Sequence, residues 1–510
     1  MTGPDSLTNS GPADPVAALG RVHLVGVGGV GMSAIATLLA ARGASVSGSD
    51  AHDGPALAAL RAAGVDVRVG HDAAAVAGAD TVVVSSAVRE TNPELAAARA
   101  QGRRVLHRSQ ALAALMAGRT SIAVAGAHGK TTTSAMIAVG LLHAGADPSF
   151  AIGGVVRDDT GPLGGARDGS GPFVAEADES DGSFLAYTPQ VAVVTNVEPD
   201  HLDHYGTAEA FEQAFVDFAG RITDPVRLLV WCADDPGAAR LNAALSRARR
   251  VDGAVPGPWT IAYGAGQAGT WDRPPSGADI TVGPVEPDDD GWSVRLTDLA
   301  GRFGWPPLPD GHDGSADSAT VRVRLPAPGD HNALNAAAAW AVLCALGTEP
   351  QAAAAALSRF RGTGRRFEDR GTAAGVRVVD DYAHHPTEVA ALLRAARAVA
   401  GTGRVLVLFQ PHLFSRTKQF ATEFGQALDL ADTVVVTAVY AAREDPDPLV
   451  SGQMLVDAVP TADKADYVAD RAQAAHTIAA AARPGDLVLT VGAGDVTELG
   501  PVILADLARR

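Results

Sequence analysis

The sequence predicts an α/β protein of three domains, each built around a mostly parallel sheet with helices on both faces. The first observation is length, because 510 residues exceed what one hydrophobic core usually organises. The second is an alternation of short apolar strands and alanine-rich helices, which starts afresh in three blocks of the chain. Each block begins with an apolar strand that leads into a glycine turn or a helix, which is typical of doubly wound parallel sheets.

Changes in this pattern place the domain boundaries. The predicted segments are a disordered polar tail at 1–18 and domains at 19–118, 119–362 and 363–510. The stretch from about 255 to 328 is rich in Pro, Gly and Asp, and we predict that it forms a small β appendage of the second domain. Within it, 311–319 is predicted to be a mobile acidic loop.

Apolar runs mark the strands in chain order. The runs predicted as strands are 22–25, 82–84, 121–125, 173–175, 191–194, 292–296, 321–325, 376–379, 405–409, 434–436 and 487–490. Helices are predicted at 92–101, at 131–143 and in the alanine-rich stretch that follows residue 331.

Composition excludes several classes of protein. The net charge of −17 argues against general nucleic-acid binding. No apolar run reaches the length of about 18 residues that a membrane helix needs, and the polar start lacks the order of a signal peptide. Only two cysteines occur, Cys232 and Cys344, each among apolar residues. We therefore expect a cytoplasmic protein with reduced core thiols and no membrane insertion.

The most informative motif is the loop at 126–133, Gly-Ala-His-Gly-Lys-Thr-Thr-Thr. It lies between a predicted strand and a predicted helix, where backbone N–H groups and the helix N-terminus bind phosphate. Lys130 is placed to reach the outer phosphates of ATP, and the hydroxyl of Thr131 or Thr132 to hold Mg²⁺. Val124 stands where the general phosphate loop has its first glycine. The residues predicted to contact the nucleotide are Gly126, His128, Gly129, Lys130, Thr131 and Thr132.

A second glycine loop follows the first strand. It fits G-x-G-x-x-G through Gly26, Gly28 and Gly31, and Asp50 lies near the end of the next strand, at the spacing of a ribose-binding acid. This pattern is typical of nicotinamide or flavin dehydrogenases. The same geometry also binds the diphosphate of a nucleotide sugar, so the motif alone leaves both alternatives open.

Acidic segments follow two strands of the second domain. They are 176–181, Glu-Ala-Asp-Glu-Ser-Asp, and 195–204, which contains Glu198, Asp200 and His201. Ligands of open α/β sheets bind at the carboxyl ends of the strands. One carboxylate from each segment, a phosphate-loop threonine and ATP oxygens suffice for a Mg²⁺ site. His201 is not singled out by spacing alone.

Further polar clusters lie in the second and third domains. Asn332 and Asn335 share a helical face and suit an adenine edge, although helix capping is an alternative. In the third domain, His and Arg residues cluster after predicted strands, at 380–386 and 409–416. Such clusters favour anionic or carboxylate substrates.

Taken in order, these motifs are similar to those of the Mur ligase family of cell-wall synthesis, over about 22–499. The segments that carry the resemblance are 26–33, 126–133, 176–181, 195–201, 331–335, 365–368, 381–388, 409–416, 440–442 and 492–496. The resemblance implies a Rossmann-like UDP-binding domain, a central P-loop ATPase domain and a C-terminal Rossmann-like domain. Its alanine-adding branch implies the substrates UDP-N-acetylmuramate, L-alanine and ATP, with Mg²⁺ or Mn²⁺, in a monomer or weak homodimer.

The resemblance also implies roles for individual residues. Glu176 and His201 match ligands of a second metal ion, and Thr131 matches a ligand of Mg²⁺. Asn332 and Asn335 match adenine contacts. The implied catalytic set is Lys130, Glu176, His201, Arg366 and His384. The implied UDP-sugar contacts are Gly28, Gly29, Val30, Gly31, Asp50, His71, Ser85, Ser86 and Ala87. The residues implied at the amino-acid and muramyl end are Tyr382, His384 and Arg416, while Arg366 matches an arginine on the ATP phosphates.

Two residues depart from the family pattern. Phe215 stands where several relatives have a carbamylated lysine, which favours the alanine-adding branch, and Leu413 replaces a residue that is often arginine. The alternatives are a ligase that attaches a preformed tripeptide to the same UDP-sugar, an NAD-dependent dehydrogenase and a non-catalytic nucleotide-sugar binder. The dehydrogenase leaves the phosphate loop unexplained, and the intact Lys130, Glu176 and His201 argue against a mere binder.

Overall fold

A computed structural model describes residues 14–252, 258–265, 277–289, 291–299, 301, 320–442 and 444–510. The predicted acidic loop at 311–319 and the first part of the predicted tail lie outside these residues. The end of that tail differs from the prediction, because Val16 is buried in the first core and Ala17–Leu19 forms a short 3₁₀ helix. Three sheets, one in each predicted block, organise the chain.

The first sheet has five parallel strands. Its elements are β1 (Val22–Val25), α1 (Val30–Ala41), β2 (Val46–Asp50), α2 (Pro55–Ala62), β3 (Asp66–Val69), β4 (Thr81–Val84), α3 (Pro93–Ala100), β5 (Arg104–His107) and α4 (Arg108–Met116). The strand order is β3-β2-β1-β4-β5, so the winding reverses between β1 and β4. A reversal of this kind opens a crevice at the carboxyl ends of the strands, which is where ligands bind.

In the described part of the central domain, the sheet has eleven strands. Its elements are β6 (Ser121–Ala125), α5 (Lys130–His143), β7 (Ser149–Asp158), β8 (Gly161–Arg167), β9 (Phe173–Glu176), β10 (Val191–Val194), α6 (Leu202–Tyr205), α7 (Ala208–Ala219), β11 (Leu228–Cys232), α8 (Pro236–Asp252), β12 (Trp259–Gly264), β13 (Ile280–Asp288), β14 (Gly291–Asp298), β15 (Thr320–Leu325), α9 (Asp330–Ala345), α10 (Pro350–Leu357) and β16 (Phe360–Thr363).

The strands of the predicted β appendage continue this central sheet. The path is β15-β14-β13-β12-β11-β10-β6-β9-β7-β16, with β8 paired to β7. β13 pairs in parallel with β12, and β14 and β15 follow as antiparallel neighbours. The appendage is therefore an antiparallel edge of the sheet, because β12 leaves its outer backbone groups free to pair.

The third sheet has six strands. Its elements are β17 (Glu368–Ala373), β18 (Val376–Asp381), α11 (Pro386–Ala400), β19 (Val405–Phe409), α12 (Phe414–Gln419), α13 (Ala421–Leu428), β20 (Thr433–Val436), α14 (Gln453–Asp457), β21 (Ala465–Tyr467), α15 (Arg471–Ala481), β22 (Leu487–Val491) and α16 (Leu499–Ala508). The order is β17-β18-β22-β19-β20-β21, and only the edge strand β17 runs antiparallel within the described part of this sheet.

Two buried helices of the central domain pack closely enough to fix the phosphate loop. A Cβ on Gly140 of α5 would lie 2.6 Å from Leu343 Cδ2 of α9, so glycine is required for this approach. The alanine-rich face of α9 is fully buried against the same core. The start of α5, which carries the loop, is thereby held beside the start of α9. Among the helices that the structure describes, none is long and apolar enough to cross a membrane.

Candidate active site

The phosphate loop is closed by contacts that only glycine permits. Gly129 has a φ of 82°, and a Cβ there would lie 2.7 Å from Asn335 Oδ1. Gly126 has a φ of 134°, and its Cβ would lie only 2.1 Å from Thr195 Oγ1. The loop therefore fits between the end of β10 and the start of α9, so that the N-terminus of α5 faces the space between them.

Lys130 is folded back over this loop. Its Nζ donates to the carbonyl oxygen of Gly126 at 2.7 Å and to Glu179 Oε1 at 2.9 Å. Burial, together with Asp178, raises the pKa of Glu179 to about 7, and Lys130 opposes this rise. The Glu179 carboxyl thus takes the place beside Lys130 where an anionic ligand group is expected. Its pairing with Lys130 was missed from the sequence.

Glu176 and Thr131 lie together beside the loop. Glu176 Oε1 accepts from the N–H of Gly153 at 3.0 Å, and the nearby Thr131 hydroxyl acts to lower the pKa of this carboxyl group. Burial raises the pKa of Glu176. These oxygen donors suit Mg²⁺, which prefers oxygen ligands and keeps several waters.

His201 begins a short helix in a left-handed conformation. Its φ is 53°, and its Nε2 lies 3.6 Å from Asp200 Oδ2. Burial lowers the pKa of His201, which favours a neutral ring with a free lone pair. The sequence predicts that His201 and Glu176 bind one metal ion. Within the described residues, neither belongs to a group of three metal-binding side chains that lie close together. The groups of this kind are His128, Glu198 and His385, and His143, Asp158 and Asp159.

His128 is held by carboxylates from two domains. Its Nε2 lies 3.0 Å from Glu198 Oε2, and its Nδ1 lies 3.3 Å from Glu388 Oε1. Burial alone would lower the pKa of His128, but Glu198 and Glu388 raise it to about 9. A ring that keeps its proton offers no lone pair to a metal ion, so the cluster around His128 is an ion-pair network.

A cavity of about 240 Å³ lies between the loop, α9 and the third domain. The predicted nucleotide-binding residues that line it are His128, Gly129, Thr132, Asn332, Asn335 and Arg366. Asn335 Oδ1 accepts from the Thr133 hydroxyl at 3.0 Å, and Asn332 Nδ2 donates to the Pro328 carbonyl at 3.0 Å. Both carboxamides therefore also fix local backbone and helix packing. Neither caps α9, whose N-cap is Gly329 without a side-chain cap hydrogen bond.

A second cavity, of about 940 Å³, opens at the carboxyl ends of β1 and β4. The predicted UDP-sugar residues that line it are Gly29, Val30, Gly31, Asp50, His71, Ser85, Ser86 and Ala87. Gly28 does not line it, but its N–H donates to Asp50 Oδ2 at 2.9 Å. Asp50 thus fixes the shape of the glycine loop as well as facing the cavity.

Arg108 of the first domain and residues of the other two domains complete this second cavity. The lining residues from those two domains are Asp178, Ser180 and Tyr382. Arg108 Nη2 donates to Asp178 Oδ2 at 2.6 Å, and its Nη1 would lie 3.2 Å from a Cβ on Gly31. Sequence reasoning missed Arg108. The available signal was its position directly after a strand, β5, whose end faces the same crevice.

The third domain is seated on the central domain through a buried ion pair and a more exposed hydrogen bond. Arg416 Nη2 donates to both oxygens of Asp200, at 3.1 and 3.0 Å. Thr387 Oγ1 donates to Glu198 Oε1 at 2.8 Å. Arg416, which we predicted at the amino-acid and muramyl end, is therefore engaged with the central domain in this structure. Leu413 precedes α12 with a φ of 69° and is buried.

Two further predicted residues of the third domain lie next to Tyr382. One of them, Arg366, belongs to the hinge, which is the segment 364–367 between β16 and β17. The Arg366 guanidinium lies over the Tyr382 ring, 5.3 Å from its centroid. His384 Nδ1 lies 3.2 Å from the Tyr382 carbonyl oxygen, and burial holds the pKa of His384 well below its usual range. A neutral His384 suits a role as a hydrogen-bond partner.

Phe215 belongs to the core. It lies fully buried on α7, and its ring centroid is 5.3 Å from that of Phe184 and 5.1 Å from that of Phe211. This position therefore supplies packing rather than a charged group to the cavities.

A phosphate loop on one domain, a glycine-loop cavity on a second, and a third domain seated against both define a nucleotide-dependent ligase of three domains. The chain belongs to the Mur ligase family. Models of three family domains match it in order: the Mur ligase family catalytic domain over 21–120, the Mur ligase middle domain over 124–251, and the Mur ligase glutamate ligase domain over 365–494.

Relatives similar over the full length carry a common name. The chain is 57% identical to the UDP-N-acetylmuramate–L-alanine ligase of Kineococcus radiotolerans, over 100% of both chains. It is 52% identical to that of Renibacterium salmoninarum, over 96% of both. Among solved structures, the UDP-N-acetylmuramate–alanine ligase of Thermotoga maritima is similar with a TM-score of 0.74 at 28% identity, covering 95% of this chain and 98% of that one.

Proposed function

We propose that this protein is an ATP-dependent ligase that joins L-alanine to the lactyl carboxylate of UDP-N-acetylmuramate. The products are UDP-N-acetylmuramoyl-L-alanine, ADP and phosphate, in peptidoglycan precursor synthesis. One observation carries the proposal: the segment 176–181 contacts the phosphate loop and also lines the glycine-loop cavity. Glu179 pairs with Lys130 of the phosphate loop, while Asp178 and Ser180 line the glycine-loop cavity. Phosphoryl transfer from one ligand to the other needs this adjacency. The names of the full-length relatives support the choice of substrates.

The chemistry follows from the poor reactivity of a carboxylate toward an amine. The lactyl carboxylate attacks the γ-phosphate of ATP, and ADP leaves. The amine of L-alanine then attacks the resulting acyl phosphate, and phosphate leaves. Lys130 and Arg366 neutralise charge on the phosphates, and the backbone N–H groups at the start of α5 orient them. The third domain excludes water that would hydrolyse the acyl phosphate.

We propose that Thr131 holds Mg²⁺, for which Mn²⁺ can substitute, and that Glu176 and His201 hold a second ion. The buried carboxyl group of Glu176 and the lowered pKa of His201, which favours a neutral ring, fit this assignment. The ions would neutralise charge on the phosphates and the incoming carboxylate. We also propose that the protein is cytoplasmic and a monomer or weak homodimer.

The tripeptide-attaching ligase is the closest alternative. The murein peptide ligase of Psychrobacter arcticus is also similar, with a TM-score of 0.65 at 25% identity over 96% of this chain and 99% of that one. It shares the three-domain fold. The higher identity to alanine ligases over the whole chain favours alanine. A dehydrogenase would not need a phosphate loop in the central domain, so this alternative does not explain the position of Lys130 and Glu179.

Phosphate release distinguishes these alternatives. The assay contains the protein, ATP, Mg²⁺ and UDP-N-acetylmuramate, with either L-alanine or the tripeptide L-alanyl-γ-D-glutamyl-meso-diaminopimelate. We expect release that depends on L-alanine, with the ligated product detected by mass spectrometry. A reaction without any amine serves as the control. Release that depends only on the tripeptide would replace the alanine assignment.

A further inference from the structure

The carboxylate of Glu388 contacts three segments that carry predicted site residues. Its Oε1 lies 3.3 Å from His128 Nδ1 of the phosphate loop and 3.6 Å from Arg366 Nη1 of the hinge. Its Oε2 accepts from the backbone N–H of His384 at 3.0 Å and lies 3.3 Å from the ring Nδ1 of the same residue. The side chain is only 9% exposed. A single buried carboxylate therefore joins the central domain, the hinge and the third domain.

Glu388 is suited to this task by its position and its charge. It lies in the first turn of α11, where the helix dipole stabilises an anion. Burial opposes its ionisation, but the cationic His128 and Arg366 hold the pKa of Glu388 well below its usual range. The carboxylate is therefore charged when it faces the two cationic groups.

We propose that Glu388 is a positioning residue, which aligns Arg366 and His128 over the nucleotide cavity when the third domain is seated on the central domain. Both of these residues line that cavity, and so does Glu388. The contact with His128 crosses the domain interface, so it exists only in the seated arrangement. Through Glu388, the positions of Arg366 and His128 in the nucleotide cavity depend on whether the third domain is seated on the central domain. The inference rests on the proposed use of ATP at this cavity.

A purely structural role is the competing explanation, since Oε2 also caps the start of α11. Loss of a cap lowers the melting temperature without a selective effect on one ligand. Loss of positioning acts selectively on ATP, because Arg366 and His128 belong to its cavity. The UDP-sugar cavity contains neither residue, and it therefore provides an internal control.

The test compares Glu388→Gln with the parent protein. We expect ATP binding, measured by calorimetry, to weaken roughly tenfold and kcat for L-alanine-dependent phosphate release to fall about ten- to a hundredfold. Binding of UDP-N-acetylmuramate should stay within twofold. Glu423→Gln makes the same change at an exposed position of the same domain and should leave all three values unchanged. Parent-like ATP binding and kcat in Glu388→Gln would overturn the proposal.

Two further measurements keep the proposal testable. Glu388→Asp retains a charge that still caps the helix but shortens its reach, so we expect weakened ATP binding. Parent-like ATP binding in this variant would assign Glu388 to capping alone. In Arg366→Ala, adding Glu388→Gln should lower kcat by a smaller factor than it does in the parent protein, because only His128 is left to be positioned. An undiminished factor contradicts positioning of Arg366. If the parent protein released no phosphate with L-alanine, the proposed function would be wrong. Calorimetry with ATP would still test the role of Glu388, because it does not depend on L-alanine.

Discussion

Lys130 and Glu179 form a buried pair whose charges are balanced before any ligand binds. Lys130 also donates to two loop carbonyls, of Gly126 and Ala127. Both partners lose most of their hydration, which is why burial raises the pKa of Glu179 to about 7. An incoming phosphate can therefore replace Glu179 as the partner of Lys130 while Glu179 takes up a proton.

We predict that Lys130→Ala lowers turnover by about 10²–10³ while the protein stays folded. The lost ammonium group neutralises charge on the transferring phosphoryl group. The fold tolerates the change because Glu179, with its raised pKa, accepts a proton more readily than an ordinary carboxyl group. Phosphate release and thermal unfolding, measured on the same sample, check this. Lys418→Ala, at an exposed lysine, serves as the control. Turnover close to that of the parent would remove Lys130 from the reaction.

A pH-dependent contribution to stability is expected from His128. Its pKa rises to about 9 in the folded protein through Glu198 and Glu388, against the opposing effect of burial. The folded state therefore holds this proton more tightly than the unfolded chain. The stabilisation is complete below the unfolded pKa of about 6.5 and is lost as pH rises toward 9.

We predict that His128→Gln reduces the free energy of unfolding at pH 6 more than at pH 9.5. Denaturant titrations at both pH values measure this difference. The same substitution at His52, which is exposed, should leave the pH dependence unchanged. An equal loss at the two pH values would show that His128 contributes packing rather than charge.

At the scale of single elements, the glycine loop after β1 is shaped by contacts with the neighbouring strand β2. The carbonyl of Ser49 in β2 accepts from the N–H groups of Gly26 and Val27, and Asp50 accepts from Gly28. A Cβ on Gly28 would lie 2.8 Å from Asp50 Oδ2 and 2.9 Å from Leu57 Cδ1. The loop thus depends on backbone and side-chain contacts that leave no space for a larger residue.

We predict that Gly28→Ala weakens UDP-N-acetylmuramate binding roughly tenfold or more, since relief of such overpacking typically costs about 1–3 kcal/mol. ATP binding at the central domain should not change. Calorimetric titration of each ligand, with NAD as a third, checks both statements. Gly78→Ala, where a Cβ meets nothing within 4 Å, is the matched control. If the parent protein bound NAD tightly and Gly28→Ala abolished that binding, the loop would be the cofactor site of a dehydrogenase instead.

The strands were predictable from the sequence because parallel strands buried on both faces are continuous apolar runs. The predicted run 405–409 coincides with β19, and 376–379 falls short of β18 only by its polar end, Asp380 and Asp381. The helix predicted from residue 131 begins one residue earlier, at Lys130. The edge position of β15 was not predictable, because strand pairing depends on contacts far apart in sequence.

The site was predictable where motifs follow strand ends, since the carboxyl ends of parallel strands meet at one edge. The glycine-loop residues and Ser85 line one cavity as that rule implies. Contacts between domains were not predictable. A local sequence pattern does not indicate which carboxylate of one domain pairs with a cationic side chain of another. The pairing of Arg416 with Asp200 and the position of Glu388 are examples of such contacts.

At the scale of the whole molecule, the third domain is held against the central domain by a few charged contacts. Arg416 and Asp200 are both nearly inaccessible to solvent, with side chains 5% and 9% exposed. Arg157 of β7 donates to Glu368 of β17 at 2.7 Å, close to the hinge. Interfaces of this polar kind allow domains to separate and reseat, as ligand entry requires.

We predict that Asp200→Ala opens the molecule. The substitution leaves the Arg416 guanidinium buried without its anionic partner, and breaking such a pair typically costs about 3–5 kcal/mol. Separation of the two domains lets water reach that guanidinium. The substitution therefore destabilises the contact between the domains rather than the core of either one. We expect a larger radius of gyration by small-angle X-ray scattering, turnover lower by roughly tenfold or more, and little change in the affinity for UDP-N-acetylmuramate.

The control removes an ion pair that lies within one domain. Arg397 Nη2 and Asp432 Oδ2 pair inside the third domain, with side chains 41% and 38% exposed. Arg397→Ala should change neither the radius of gyration nor turnover, because an exposed pair contributes little. Saturating ATP and UDP-N-acetylmuramate together should partly restore the compact form of Asp200→Ala, since both ligands contact the seated arrangement. An Asp200→Ala protein as compact and as active as the parent would show that the Arg416 contact does not hold the domains together.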